Sequence, residues 1–180
     1  MSLDSLQKGK AVYLRRPVRG DLEELLSLVS ASRRLHRPWI YPPSTEQAFY
    51  AFIERASSER FLGCLICLRE TGAIVGVANI SEIVRGVFQS AYLGFYGHMA
   101  YSGRGLMREG LTLVLRHAFR KMKLHRIEAN VQPDNHRSLA LVRALGFQRE
   151  GFSPKYLKIG GRWRDHERWA LLADNGKPGL

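Results

Sequence analysis

The residues best suited to chemistry form one short stretch, Tyr101-Ser102-Gly103-Arg104-Gly105-Leu106-Met107, between the apolar, aromatic run 91–97 and a long helical pattern. Gly103 and Gly105 let the backbone bend tightly and turn its N–H groups onto an anion, and a helix starting here aims the positive end of its dipole at the same point. Arg104 adds a full charge and a planar donor fork. A phosphate-bearing ligand fits this arrangement. A strand-to-helix loop also uses glycine merely to turn, and the segment alone does not separate the two.

Such a loop needs a fixed helix behind it. Met107, Leu111, Val114, Leu115, Ala118 and Met122 recur at i, i+3, i+4 spacing and predict a helix over about 104–121 whose apolar face lies on a sheet. Upstream, residues 11–16 read as a strand closed by Pro17, and Asp21 opens a helix with the apolar face Leu22, Leu25, Leu26 and Val29 that ends near Arg33-Arg34. The loop 36–43 is stiff and aromatic around Trp39; it packs locally or forms a lid over a substrate mouth. Ser44 with Gln47 three residues on has capping-box spacing for a second helix carrying Phe49, Phe52 and Ile53.

The hairpin 60–69 and 73–83 follows, turning at Thr71-Gly72, and then the strand 88–97 that runs into the glycine loop. The strand 125–131 must be parallel to 88–97, because a helix crosses between them. A helix over 135–145 stops at Gly146, and a closing hairpin pairs 147–159 with 163–172 through Gly160-Gly161, Trp163 and Trp169 packing in the core. The expected fold is mixed α/β: a central, mostly antiparallel twisted sheet with one splayed parallel strand pair, flanked by helices, forming a single domain over 1–180.

Cys64 and Cys67 lie in a strand pattern, where residues three apart face opposite sides, so they read as two buried thiols and not as a metal or redox pair. No metal site is expected. Without a long apolar run or an apolar leader segment in its first ten residues, the chain is expected in the cytoplasm, with no membrane partner. Twenty-eight basic against 16 acidic residues give a net charge of +12. That balance suits polyanionic partners: RNA, a ribosomal surface or a phosphate-rich cofactor.

From Tyr92 to Leu172 the sequence resembles the GNAT superfamily of N-acetyltransferases, and within it the RimJ/RimL branch of ribosomal-protein alanine N-acetyltransferases. The segments that carry the resemblance are Gly103-Arg104-Gly105-Leu106-Met107, His125-Arg126-Ile127-Glu128-Ala129-Asn130, Asn135-His136-Arg137-Ser138, Leu145-Gly146-Phe147 and Trp163-Arg164-Asp165-His166. The resemblance implies direct acetyl transfer from acetyl-CoA to a primary amine. It places the pantetheine arm along Phe95, Tyr96 and Gly97, where their strand splays from the 126–131 strand. The pyrophosphate falls on the amides of Ser102, Gly103, Arg104, Gly105, Leu106 and Met107, the same place that the glycines indicate. Ser102 and Met107 depart from the family pattern, and backbone N–H groups are expected to hold the anion regardless.

The family's tyrosine acid falls on Val142, so that role is vacant, and the ribosomal-protein branch implies Ser138 as the donor to the leaving thiolate, with Asn135 beside it in the cofactor site. Helix capping is the other use for Asn135 and Ser138. Glu82 and Glu128 are the candidate bases, with ion pairing as their alternative fate, and His98 is a further possibility. The acceptor expected is the N-terminal amine of a protein, a ribosomal one first. A small amine such as a polyamine, an amino acid or an aminoglycoside is the in-class alternative, and a non-catalytic ribosome- or RNA-binding factor the alternative from another class.

Overall fold

The structure is a computed structural model and describes residues 5–56 and 58–173. The single domain expected over 1–180 reaches past these residues at both ends. One eight-stranded sheet is made of β1 (Ser5–Lys8), β2 (Val12–Arg15), β3 (Phe61–Leu68), β4 (Ile74–Val84), β5 (Ser90–Gly97), β6 (Arg126–Val131), β7 (Gln148–Ile159) and β8 (Arg162–Leu172). The spatial order is β1-β2-β3-β4-β5-β6-β8-β7. All neighbours are antiparallel except β5 and β6, which are joined across α4 (Leu106–Arg120). The mixed α/β architecture with one parallel pair is the one expected.

Alternation in β3 shows how the sheet is covered. Leu62, Cys64 and Ile66 join the core that holds Leu111, Leu115 and Ala118 of α4 and Leu139 and Val142 of α5 (His136–Ala144). Phe61, Leu65 and Cys67 join the opposite core, with Leu25 and Leu28 of α1 (Leu22–Ala31) and Phe49 and Phe52 of α3 (Glu46–Ala56). The two cysteines thus face opposite sides, and burial pushes the Cys64 thiol up to about 12 and the Cys67 thiol to about 11. Since the thiolate is the reactive form, an aromatic disulfide reagent at pH 8 is expected to titrate neither thiol in the folded protein and both in denaturant. Rapid native reaction of either would contradict that burial.

Several expectations move. β1 was not visible as a strand: four residues, Ser-Leu-Gln-Lys, are too few to show a period. The second helix is capped one residue later than the Ser44 spacing implies, by Thr45, whose Oγ1 accepts from the Ala48 N–H at 3.2 Å. A four-residue helix α2 (Arg33–His36) opens the aromatic loop. α4 begins at Leu106, not Arg104, because Gly105 is its left-handed cap. Phe88 lies outside β5 and is exposed. Trp169 packs in the core as expected, but Trp163 is 60% exposed beside the β7–β8 turn.

Candidate active site at a strand fork

β5 and β6 share only the pairs Ser90–Arg126, Ala91–Ile127 and Tyr92–Glu128. β5 runs on to Gly97 and β6 to Val131 without further pairing to each other. The fork that opens there has inner-edge backbone groups left over from the ladder, which an extended ligand can satisfy. A groove of about 1140 Å³ passes through it. Phe95, Tyr96 and Gly97 line it from β5, Ser102, Gly103, Gly105 and Met107 from the loop, and Asn135 and Ser138 from the start of α5.

Gly103 and Gly105 hold φ of 78° and 75°, a region costly for other residues. Gly105 caps α4 with no side-chain bond, so the first-turn N–H groups stay without helical or side-chain partners at the groove. Backbone N–H groups placed in this way can hold an anion. Arg104 does not line the groove; its guanidinium lies 5.7 Å from the Tyr101 ring centroid. Leu106 puts its side chain in the core, leaving its amide as its contribution. Arg108, one turn on, is the loop-side cation that does line the groove, and its place on the polar face of the helix was the only sequence signal for it.

Asn135 caps α5, its Oδ1 accepting from the Ser138 N–H at 3.2 Å. Ser138 is therefore fixed in the first helical turn and lines the groove. Val142 is fully buried in the core.

The structure does not bring Glu82 to this groove. It sits at φ 49° where the β4–β5 register shifts, toward the far end of β5, and pairs with Arg60 at 3.2 Å in solvent, the two side chains 67% and 72% exposed. Glu128 stands at the base of the fork, outside the groove lining, and Arg126 Nε holds its carboxylate at 2.7 Å while the same guanidinium grips Glu150. Beside it, Tyr92 hydrogen-bonds Tyr156 and is partly buried, which together push the Tyr92 phenol up to about 12. His98 lines the groove with its ring centroid 5.4 Å from that of Tyr101.

The opposite wall comes from parts far apart in sequence. Leu35, His36, Trp39 and Ile40 descend from α2 and its loop, and Leu157, Ile159 and His166 rise from the β7–β8 hairpin. Three bonds tie this wall to the fork: His36 Nε2 donates to the Gly97 carbonyl at 2.8 Å, Met99 N–H to Ser32 Oγ at 2.9 Å, and Gln132 Nε2 to the Trp39 carbonyl at 3.1 Å. The loop around Trp39 thus packs as one wall of the mouth. Apart from its aromatics, nothing in local sequence marks these residues, because only the topology brings them together.

Burial lowers the pKa of His36, of His117 and of His166 below the ordinary 6.5. Below 6.5 the unfolded chain therefore binds protons that the folded chain refuses, and stability falls with pH from 6.5 down to the lowered folded values. The expected slope is up to about 1.4 kcal/mol per pH unit for each histidine. Urea midpoints measured from pH 7.5 to 5 should decline; a flat profile would show the histidines to be protonated in place.

The fork, the glycine-capped helix and the crossover place the chain in the GNAT fold class. Residues 11–148 match the family model described as "Acetyltransferase (GNAT) domain", and the chain belongs to that family. It is 46% identical over 106 residues to the [Ribosomal protein uS5]-alanine N-acetyltransferase of Escherichia coli, a match covering 59% of this chain and spanning 55% of that enzyme's length. It is 32% identical over 173 residues to the Bacillus subtilis protein YjcK, named as an N-acetyltransferase, covering 92% of this chain and 96% of that one. Among solved structures, Mycobacterium smegmatis RimJ in complex with CoA-disulfide superposes with a TM-score of 0.83 at 29% identity, covering 91% of this chain and 82% of that chain. Among the described residues, no helix is long and apolar enough to cross a membrane, and no three His, Cys, Asp or Glu side chains cluster to hold a metal ion.

Proposed function

We propose that this chain, as one acetyltransferase domain over 1–180, transfers the acetyl group of acetyl-CoA to the N-terminal α-amine of a protein, a ribosomal protein first among acceptors. The charge of the groove carries the choice of acceptor. Among the described residues lining it the one carboxylate is Asp134, next to Asn135 on the cofactor side, while the acceptor wall carries the charge of Arg34, with His36 and His166 kept neutral by burial. A polyamine or a lysine-rich segment would meet repulsion there; a peptide carrying a single α-amine meets little. The basic surface, at a net charge of +12, suits docking at the ribosome.

In this mechanism Phe95 to Gly97 hold the pantetheine arm, and the amides of residues 103–107, with Arg108 beside them, hold the pyrophosphate, the Ser102 N–H being already bonded to the Met99 carbonyl at 3.1 Å. The amine nitrogen attacks the thioester carbonyl carbon. The N–C bond forms, the C–S bond breaks, the sulfur takes a proton from the Ser138 hydroxyl, and the surplus proton on nitrogen passes to water, which returns one to the Ser138 oxygen. Glu82 is remote and Glu128 is held by Arg126, so the acceptor must arrive largely ready to react. An α-amine with a pKa near 8 is roughly a tenth to a third neutral near pH 7.5, against about 0.1% for a lysine.

The test is calorimetric titration with acetyl-CoA followed by incubation with peptides of varied first residue, each paired with a twin blocked at its α-amine. Acetylation of free α-amines, alanine-first ones included, is expected. Turnover only of the blocked twins, on lysine, would refute the acceptor, and absence of acetyl-CoA binding would leave an RNA- or ribosome-binding relative of the fold.

A further inference from the structure

Of the segment Trp163-Arg164-Asp165-His166, only His166 lines the groove. Its Nδ1 lies 3.0 Å from the Arg164 carbonyl. A carbonyl oxygen only accepts, so Nδ1 carries the hydrogen, and in the neutral ring Nε2 is left with a lone pair. No described residue bonds Nε2, and it is not sealed in without a partner as His36 Nδ1 is. From β7 the Tyr156 ring meets the imidazole edge-on, 6.2 Å between centroids.

Alternation along the strands decides which side of the fork this lone pair serves. Ala129 and Val131 of β6 and Trp169 and Leu171 of β8 lie in the core that holds α4 and α5. His166 is three residues from Trp169 in an unbroken β8 and faces the other way, onto the side of α1 and α3. The acceptor wall is on that side too: the His36 ring packs on Tyr96, which lies in the core of α1 and α3. Ser138 belongs to α5 and the opposite face. The fork is the opening between the faces, with the donor to sulfur on one side and an accepting nitrogen on the side where the amine arrives.

The other candidate bases are occupied or elsewhere. His36 holds its Nε2 hydrogen on the Gly97 carbonyl, and its Nδ1 is enclosed. His98 stands against Tyr101 at the start of the glycine loop. Glu82 is in solvent with Arg60, and Glu128 is held by Arg126.

We propose that His166 is the catalytic base of the transfer, its Nε2 taking, directly or through one water, the proton that the amine nitrogen sheds as it bonds to the thioester carbonyl carbon. The inference rests on the acetyl-transfer reading of the fork and names the group that stands between the nitrogen and solvent. As the N–C bond forms, the nitrogen becomes cationic and one of its protons passes to Nε2. The C–S bond breaks, the sulfur takes the Ser138 proton, and the imidazolium gives its own to water, from which the Ser138 oxygen is reprotonated. Burial lowers the His166 pKa, although the Arg164 carbonyl and neighbouring Asp165 act to raise it. The ring is therefore free to accept at pH 7.5 and releases its proton readily afterwards. The other ionisable groups about it are Tyr156 of β7, Arg168 on the same face of β8, and Arg34 and His36 on the acceptor wall. Of these only His36 titrates in the same range, and a variant at 166 separates the two.

The experiment follows kcat from pH 5 to 8 at saturating acetyl-CoA and alanine-first peptide, for wild type, His166→Gln and His166→Ala. Wild type should lose about tenfold per pH unit below the His166 pKa, one proton blocking one base. His166→Gln should be about a hundredfold slower at pH 7.5 and flat across that limb, with acetyl-CoA affinity within about twofold by calorimetry. Added imidazole should restore at least about tenfold in His166→Ala, which a merely structural histidine would not show. A kcat in His166→Gln within about threefold of wild type, or the same acid limb in that variant, would overturn the base. Where neither variant folds, nitrogen-15 NMR of the wild type decides. A bare Nε2, and a His166 titration that coincides with the acid limb of kcat, are expected; an Nε2–H tautomer or a titration elsewhere would overturn the proposal. If wild type acetylates small amines and no peptide, the acceptor assignment fails alone and the same comparison runs on that amine. If it binds no acetyl-CoA, the fork assignment and the base fall together.

Discussion

Replacing Ser138 by alanine is expected to lower kcat for acetyl transfer by about a hundredfold or more while leaving the affinity for acetyl-CoA within about twofold, the pattern of a lost proton donor and not of a lost binding contact. Position gives this weight. Ser138 sits in the first turn of α5, its N–H bound to the Asn135 cap, and lines the groove into which that turn points. A thiolate leaving there gains from the positive end of the helix dipole as well as from the hydroxyl. The tyrosine that serves relatives in this role is absent, since Val142 is fully buried in the core at the matching position, so no second side-chain acid stands ready there to mask the loss. Steady-state kinetics at saturating acetyl-CoA decide it. An unchanged kcat would reduce Ser138 to a turn residue, and an equal fall in kcat and acetyl-CoA affinity would make it a binding contact.

The largest expected loss of stability follows Asp21→Ala. Arg15 at the end of β2 donates from Nη1 and Nη2 to the two oxygens of Asp21 at 2.8 and 2.7 Å, with the side chains only 5% and 7% exposed. Asp21 also accepts from the Val18 N–H at 2.7 Å, which fixes the entry into α1. Removing the carboxylate leaves a guanidinium buried without its counter-charge, a change that costs about 3–5 kcal/mol, or roughly 10 °C in melting temperature for a chain of this size. The paired replacement Arg15→Met with Asp21→Leu should cost much less, because no charge is left unpaired. Scanning calorimetry of the single and double variants measures both. A single-variant loss below about 1 kcal/mol would mean that Arg15 escapes to solvent.

What could be read from the residues is what local pattern encodes. The glycines at 103 and 105, the apolar stripe from Leu111 to Ala118 and the crossover before His125 are enough to place a glycine-capped helix start beside a parallel pair, and the structure has that geometry. Glu82 misled because a register shift and a positive φ turn it into solvent, and neither leaves a trace in a run that otherwise reads as continuous strand. Glu128 had the expected strand position, but its pairing depends on Arg126 and on Glu150 from a strand distant in sequence. At Arg104 and Leu106 the turn sends one side chain over Tyr101 and the other into the core, which the loop's composition does not reveal. The acceptor wall was hidden for a different reason: α2, its loop and the β7–β8 hairpin meet only in three dimensions.

The most direct measurement is a competition. An alanine-first peptide and spermidine, at equal concentration, share limiting acetyl-CoA with the enzyme at pH 7.5, and fragmentation mass spectrometry locates the acetyl group. A groove whose acceptor wall carries Arg34 and no carboxylate should deliver it to the peptide's α-amine. Acetyl-spermidine as the dominant product, with the peptide untouched, would contradict the assignment of the acceptor.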